Sequence, residues 1–362
     1  MLKRPRVFLM AGGGTGGHVI PLLTVARELR KRGHEVFFVG TRRGMEAKLA
    51  PAEGFPIEWI EIGALKRVGA WRRLRTLVEL PVGVVRCLGL LRRRGTDAVL
   101  SLGGYAAGPP VLAALLRRIP VVVMEPNAVP GFTNRKIARW VARALISFEE
   151  TARWFPPGRC ELTGLPVREE FFRLPPKPPG PEFTVLITGG SRGARSLNRA
   201  AQESWPLFRE AAFRVRLIHQ AGAEEALRLQ EAFSKTGLVG EVTAFIDDMP
   251  AAFAQADLVV CRSGAGAVAE LAAAGKPSIL VPFPFAADDH QLRNAQALER
   301  AGAARIILDR ELTGRRLFEE IAALERDREE LARMGGRARK LARPGAAERA
   351  AEVLEEVAGE AA

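Results

Sequence analysis

Two glycine-rich turns are the strongest candidates for chemistry in this sequence. Residues 12–18 read GGGTGGH and follow the apolar run 7–11, and residues 189–195 read GGSRGAR and follow the β-type run 184–188. A helical pattern begins directly after each turn. Glycines let the backbone approach a ligand closely, and the unpaired N–H groups at a helix start attract anions. We therefore predict a phosphate-bearing ligand at these turns.

The first turn has two competing interpretations. Its glycines satisfy the G-x-G-x-x-G spacing of dinucleotide-binding domains, so the hypothesis of an NADP-dependent oxidoreductase stays open. The second predicted strand, residues 35–39, leads into Thr41, Arg42 and Arg43 rather than into the acid that holds the ribose of NAD. A glycine connector without a ligand is the other alternative. The oxidoreductase hypothesis leaves the second glycine turn unexplained.

Two more polar turns follow predicted strands in the second half. Residues 262–270 come after the strand 258–261 and open a helix, which places Glu270 in its first or second turn. A carboxylate there could accept a vicinal diol such as ribose O2′ and O3′, or it could simply face the helix dipole. Residues 282–294 come after the strand 278–281 and crowd donors and acceptors together. That crowding suits the hydroxyls of a sugar.

The composition indicates a globular protein of a reducing compartment. The 362 residues are 48% hydrophobic and 26% charged, a length that suits two domains. The three cysteines stand far apart and outside any C-x-x-C spacing, which argues against a disulfide scaffold and a zinc site. None of the four histidines forms an H-x-x-x-H pair, so we expect no metal. No apolar run suits a signal peptide or a membrane span, so we expect a cytoplasmic protein.

The positive charge is concentrated in one segment. Residues 64–95 hold nine Lys or Arg and one acid, Glu79, and so supply +8 of the net charge of +13. Apolar residues, including Trp71, recur every three to four positions among them. This pattern predicts a surface that lies on anionic lipid headgroups, or else an ordinary helix on the sheet whose solvated face is basic. No nucleic-acid-binding motif accompanies the segment, and Pro81 predicts a break into two helices.

The order of elements predicts an α/β fold class. Strands alternate with helical spans of 10–15 residues, which indicates βαβ units and parallel sheets. The pattern restarts at Phe183, so the chain reads as two similar halves. We predict an N-terminal Rossmann-like domain over residues 1–163 and a C-terminal one over residues 164–340. The helix at residues 341–362 is expected to pack back on the N-terminal domain.

Eight motifs carry a resemblance to a known family. In chain order they are GGGTGGH, GGYAAGPP, GFTN, TGLPVR, GGSRGARSLN, FIDDM, CRSGAGAVAE and HQLRNA. Together they resemble the MurG family of glycosyltransferases. The resemblance implies a GT-B fold, with two Rossmann-like parallel-sheet domains facing across a cleft. It also implies inverting transfer of GlcNAc from UDP-GlcNAc to the C4 hydroxyl of MurNAc in lipid I, which gives lipid II.

The same resemblance implies a setting and a set of site residues. The enzyme would lie on the cytoplasmic face of the cell membrane as a peripheral protein, use no cofactor, bind no nucleic acid and meet other cell-wall synthesis proteins. His18 and Glu125 compete for the role of general base, and Tyr105 and Asn134 would contact the acceptor. The remaining implied residues share contact with the donor: Thr15, Gly16, Gly17, Asn127, Arg168, Ser191, Ile246, Ala265, Glu270 and Gln291.

The chain departs from the family at several positions. Met124 and Pro126 replace the usual His and Gln, and Leu165 replaces an Asn. Gly266 and Ala267 replace a larger residue and a threonine, which weakens the phosphate contacts expected from that turn. No D-x-D is present to hold a metal on the diphosphate. Helix N-termini and Arg168 would then neutralise the leaving group, so we predict that the reaction needs no metal.

Overall fold

The computed structural model describes residues 4–14, 16–42, 44–62, 70–175, 177 and 181–360, with the backbone alone at 70–78. Two compact units divide the chain. The first comprises Met1–Val167 together with Arg343–Ala362, and the second comprises Arg168–Ala342.

The first unit is built on a seven-stranded sheet whose neighbouring strands are all parallel. Its strands are β1 Val7–Gly12, β2 Glu35–Gly40, β3 Ile57–Trp59, β4 Ala98–Gly103, β5 Val121–Glu125, β6 Arg143–Ile146 and β7 Cys160–Leu162. Its first five helices are α1 Gly16–Lys31, α2 Glu46–Ala52, α3 Ala70–Arg94, α4 Gly108–Leu116 and α5 Phe132–Ile137. The strand order is β3-β2-β1-β4-β5-β6-β7.

The second unit repeats this plan with a six-stranded parallel sheet in the order β10-β9-β8-β11-β12-β13. Its strands are β8 Phe183–Thr188, β9 Val215–Gln220, β10 Val239–Thr243, β11 Leu258–Cys261, β12 Ser278–Leu280 and β13 Ala304–Ile306. Its helices are α6 Arg195–Glu210, α7 Ala226–Ser234, α8 Met249–Gln255, α9 Ala265–Ala274, α10 His290–Arg300, α11 Gly314–Arg326 and α12 Arg328–Leu341.

Each sheet has one point where the strand order reverses. In the first unit this point lies between β1 and β4, and in the second between β8 and β11. Open parallel sheets bind ligands outside the carboxyl ends of the strands at such a switch point. Helices cover both faces of the sheet, so the apolar strands beside the switch point are buried. Phe8, Leu9 and Met10 of β1 are 0% exposed.

The last helix, α13 Ala346–Glu360, belongs to the first unit. Its Arg349 guanidinium donates to both carboxylate oxygens of Glu161 at 2.6 and 3.0 Å. On the same helix, Glu355 accepts from His34 Nε2 at 2.8 Å and from Arg32 at 3.2 Å. Bidentate, charge-assisted contacts of this kind fix orientation as well as adding stability.

The predicted break at Pro81 is wrong, because α3 is continuous through that residue. A proline inside a helix costs about 3 kcal/mol through the missing N–H and the ring's clash with the preceding turn. Tertiary packing offsets that cost: Cys87 is buried, and a Cβ atom on Gly83 would lie only 3.2 Å from Pro109 of α4. Local sequence rules do not include this packing.

Three strands also differ from the sequence prediction. β7 and β13 were not predicted, because a charged residue, Glu161 in β7 and Arg305 in β13, interrupts each apolar run. The pattern of residues 242–246 predicts a strand, but the observed strand, β10, lies three residues earlier, so Ile246 falls in the loop that follows. The predicted fold class, two parallel-sheet α/β domains, is confirmed.

Candidate active site

His18 lies in the first turn of α1, where the loops after β1 and β4 meet. Its Nδ1 is 3.2 Å from the carbonyl oxygen of Gly13. A carbonyl only accepts, so Nδ1 carries the proton and Nε2 carries the lone pair of the neutral ring. Gly104, whose φ is +83°, packs against this pair: a Cβ atom there would lie 3.3 Å from Gly13 O and 3.5 Å from His18 Nδ1. The site therefore needs a glycine at this position.

Glu125 ends β5 and is enclosed by donors. One carboxylate oxygen accepts from the backbone and side-chain nitrogens of Asn127 at 3.0 and 3.2 Å, and the other accepts from Gly131 N at 3.1 Å and Asn134 Nδ2 at 2.8 Å. Only 1% of the residue is exposed. Burial raises the pKa of Glu125 to about 7, against the opposing effect of these hydrogen bonds, that from Asn134 first.

Tyr105 and Asn134 join the same edge of the sheet. The Tyr105 hydroxyl is 3.2 Å from Thr41 Oγ1, and its ring lies against Gly14. Asn134 is buried on α5, and its Oδ1 has no hydrogen-bond partner within the described residues. That oxygen lies so close to Gly103 that a Cβ atom there would be 3.0 Å away. The structure thus brings His18, Glu125, Tyr105 and Asn134 to one switch point.

Three other predicted residues of the first unit are less defined. Thr15 lies outside the described residues. Gly16 and Gly17 form the start of α1, where the backbone N–H groups have no partner within the helix. Their donor-binding role stays a prediction.

In the second unit, Gln220 ties the glycine turn to the loop that carries Ile246. Its Nε2 donates to Gly190 O at 2.9 Å and to Thr188 Oγ1 at 3.3 Å, while its Oε1 accepts from Ile246 N at 2.9 Å. Gln220 is 1% exposed at the end of β9. Ser191, by contrast, is exposed in the turn before α6. One buried amide therefore holds two loops in register.

Glu270 lies within the electrostatic influence of Arg168 in the second unit. Glu270 lies in the second turn of α9, which begins at Ala265. Burial raises the pKa of Glu270 to about 7, while the charge of Arg168 works in the opposite direction. The Arg168 guanidinium lies over the Phe171 ring, 5.1 Å from its centroid.

Gln291 is held at the start of α10 beside the loop after β11. Its backbone carbonyl accepts from Ser263 Oγ at 2.8 Å, and its side-chain Oε1 accepts from Phe283 N at 3.0 Å. Asn294 Nδ2 donates to the Ser263 carbonyl at 3.2 Å. With Oε1 engaged in this way, a ligand would meet the NH₂ group of Gln291.

Comparison with known proteins places this chain among sugar-transferring enzymes. The profile of the glycosyltransferase family 28 N-terminal domain matches residues 8–146, and that of the family 28 C-terminal domain matches residues 184–352. The chain belongs to glycosyltransferase family 28. The fold it shares with that family is the two-domain GT-B arrangement, as the resemblance implied.

Curated family 28 relatives match along nearly the whole chain. One from Solibacter usitatus is 64% identical, covering 97% of this chain and 96% of that protein. One from Myxococcus xanthus is 42% identical, covering 95% of this chain and 91% of that protein. Both are named UDP-N-acetylglucosamine–N-acetylmuramyl-(pentapeptide) pyrophosphoryl-undecaprenol N-acetylglucosamine transferase. The crystal structure of Acinetobacter baumannii MurG matches with a TM-score of 0.81 at 32% identity, covering 97% of this chain and all of that one.

The residues that sequence reasoning missed are those that hold loops in place beside the site. Glu46 and Gln220 are buried beside the glycine turns. Arg262 donates to Asp309 at 2.6 Å and to Ser196 Oγ at 2.8 Å, which binds the loop after β11 to the start of α6. The only sequence signal for them is a polar residue near a strand end.

Two further observations bear on cofactors and membranes. Among the residues that the structure describes, no group of three or more His, Cys, Asp or Glu could hold a metal ion. In the same part of the chain, no helix has both the length and the apolarity to cross a bilayer.

Proposed function

We propose that this glycosyltransferase moves GlcNAc from UDP-GlcNAc to the C4 hydroxyl of MurNAc in lipid I and gives lipid II with inversion at the anomeric carbon. The observation that carries the proposal is the 64% identity, over 97% of the chain, to a relative named for this transfer. In the reaction, the hydroxyl oxygen bonds to the anomeric carbon, the bond from that carbon to the diphosphate breaks, and UDP leaves. The hydroxyl proton goes to a base.

His18 is the base in this proposal. The contact with Gly13 O makes Nδ1 the donor, so Nε2 is the nitrogen that takes a proton in the neutral ring. Glu125 is the weaker candidate because four donors surround its carboxylate. Its role is to orient Asn127 and Asn134, and Asn134 and Tyr105 would then contact the acceptor.

The second unit supplies the donor contacts. The N–H groups at the start of α6, with Ser191, would bind the diphosphate, and Arg168 would add positive charge. The loop at Ile246 would contact the uracil. Glu270 would accept from the ribose hydroxyls, Gln291 would donate to the GlcNAc hydroxyls, and the first turn of α9, at Ala265, would face the phosphates.

The decisive experiment measures UDP release from UDP-GlcNAc in the presence and absence of a lipid I analogue. We expect release only when both are present, and much slower release from other UDP-sugars. Release that does not depend on the lipid I analogue would contradict the acceptor assignment. Faster release from another sugar nucleotide would favour a different UDP-sugar transferase of the same fold. We expect full activity in excess chelator; loss of activity that magnesium restores would contradict the metal-free mechanism.

We also propose that the first unit binds an anionic membrane surface as a peripheral protein on the cytoplasmic face. The first half of the predicted basic segment, including Trp71, has no described side chains, but its second half is described. There, Val82 and Val85 share one exposed side of α3, and Leu112 and Leu116 share one exposed side of the neighbouring α4. Exposed arginines accompany these apolar residues: Arg86, Arg92, Arg93, Arg117 and Arg118. Exposed apolar residues on helices that also carry exposed arginines suit an interface with acidic headgroups.

Sedimentation with phosphatidylglycerol vesicles tests this surface. We expect Val85→Glu with Leu116→Glu to release the protein, because an acid placed against the membrane is repelled by anionic headgroups. The control is Leu227→Glu, at a leucine of α7 in the second unit that is equally exposed. Replacing Arg72, Arg73 and Arg75 with Glu is expected to release the protein as well. Unchanged binding of both variants would contradict the proposal.

A further inference from the structure

Glu46, the first residue of α2, is a buried carboxylate that the proposed reaction does not use. It is 0% exposed. One of its oxygens accepts from Gly14 N at 2.9 Å, and the other accepts from Thr41 N at 2.9 Å and Thr41 Oγ1 at 3.1 Å. Both oxygens act only as acceptors, which is the pattern of an ionised carboxylate.

Three glycines make room for this side chain. Cβ atoms added to Gly13, Gly40 and Gly44 would lie 2.5, 2.3 and 2.0 Å from atoms of Glu46. Neither Gly13 nor Gly40 has a positive φ, so their backbone conformations are open to other residues. The glycines leave room for the Glu46 side chain in its buried position.

The contacts of Glu46 lead to two candidate active-site residues. Glu46 holds the N–H of Gly14, and the carbonyl of the preceding residue, Gly13, is the group that meets His18 Nδ1. Glu46 also holds Thr41, whose hydroxyl is 3.2 Å from the hydroxyl of Tyr105. One buried side chain thus anchors the supports of both His18 and Tyr105.

We propose that Glu46 is a positioning residue that orients the His18 imidazole, and with it the proton-accepting Nε2, by fixing the first glycine turn. The inference rests on the proposed function, in which His18 is the base. Glu46 itself touches neither substrate. Its loss lowers turnover because a displacement of about 1 Å in a catalytic group can cost about a hundredfold in rate.

The test compares Glu46→Gln with Glu53→Gln. The amide of Glu46→Gln has nearly the shape of the carboxylate but presents an NH₂ group to one of the donors, so the turn shifts without a cavity. Glu53 follows the same helix at its other end and is paired with Arg27 near the surface, which makes it a matched control. We expect kcat to fall about 10- to 100-fold in Glu46→Gln, with the Kd of UDP-GlcNAc unchanged, and neither to change in Glu53→Gln.

Imidazole ¹H–¹⁵N spectra separate positioning from general support of the fold. The chain has only four histidines, and the His18 signals are identified by their absence in His18→Ala. We expect Glu46→Gln to shift the His18 signals while those of His34, His219 and His290 stay in place. A folded Glu46→Gln protein whose His18 signals do not move would overturn the inference, even if kcat fell. Absence of lipid I-dependent turnover in the wild-type enzyme, together with shifted His18 signals, would instead count against the proposed function.

Discussion

The two units share one strand order but anchor their glycine turns with different chemistry. In the first unit a carboxylate, Glu46, accepts from the turn at Gly14. In the second unit an amide, Gln220, donates to the turn at Gly190 and accepts from the loop at Ile246. Both anchors follow or end the second strand of their sheet. The strand order determines which residue can reach the turn, and the side chain of that residue determines the charge beside the turn.

This difference suits the two proposed roles. A turn that already holds a buried carboxylate gains little from a second anion, because like charges repel strongly where water is excluded. A turn held by a neutral amide keeps the attraction of its helix N-terminus for a diphosphate. The first unit is thus suited to proton transfer at His18, and the second to binding UDP.

The largest expected effect is on turnover, and it comes from removing the proposed base in the first unit. In His18→Ala, we expect kcat to fall about 10²- to 10⁴-fold, the usual contribution of general base catalysis. The Kd of UDP, measured by calorimetry, should stay within about twofold because most of the contacts proposed for UDP lie on the second unit. Near-normal turnover with intact UDP binding would show that His18 is only structural.

A smaller effect, on the binding of UDP rather than on turnover, is expected from Gln220→Leu. The substitution leaves Ile246 N and the Gly190 carbonyl without their buried partner, which costs about 1–3 kcal/mol for each group that finds no substitute. We expect the Kd of UDP to rise about tenfold while the His18 spectrum stays unchanged. Gln255→Leu, at an exposed glutamine of α8, is the matched control. Equal UDP affinity in both variants would refute the role given to Gln220.

The smallest effect is the part of the pH dependence of stability that Glu125 of the first unit contributes. The pKa of Glu125 is raised to about 7, above its ordinary value, so the folded state holds this proton more tightly than the unfolded state does. The stability contributed by the protonated form is therefore lost as pH rises through about 7. Between about pH 6 and about pH 8, the wild type should lose about 1 kcal/mol of unfolding free energy relative to Glu125→Gln.

Urea titrations at several pH values measure this difference. Glu170→Gln, which changes an exposed carboxylate, is the control and should follow the wild type at every pH. A constant gap between the wild type and Glu125→Gln would mean that Glu125 is already ionised in the folded protein below pH 7.

How much of the fold could be predicted depends on how local each signal is. β1, β2, β8 and β11 were predicted to within one residue at each end, because an apolar run that stops at a glycine or polar turn is a local pattern. β7 and β13 lack such a run, because the middle residue of each is charged. The path of α3 through Pro81 depends on packing against α4, which no rule about neighbouring residues contains.

The candidate site also has features that neighbouring residues predict and features that they do not. The family and the named site residues follow from motifs, since a motif is a string of neighbouring residues. The anchors do not, because Glu46 and Gly14 are 32 residues apart and Gln220 and Ile246 are 26 apart. The pairing of such residues depends on strand order.

By itself, the sequence determined the α/β class, the family 28 motifs and the basic segment, because each of these depends on residues that are neighbours in the chain. Only the tertiary structure decided which nitrogen of His18 carries the proton, how fully Glu125 is enclosed, and that Glu46 fills the space of three glycines. Each of these depends on groups that are distant in the chain and are brought into contact at the switch point. Hydrogen bonding and burial act on that contact, whatever the sequence separation.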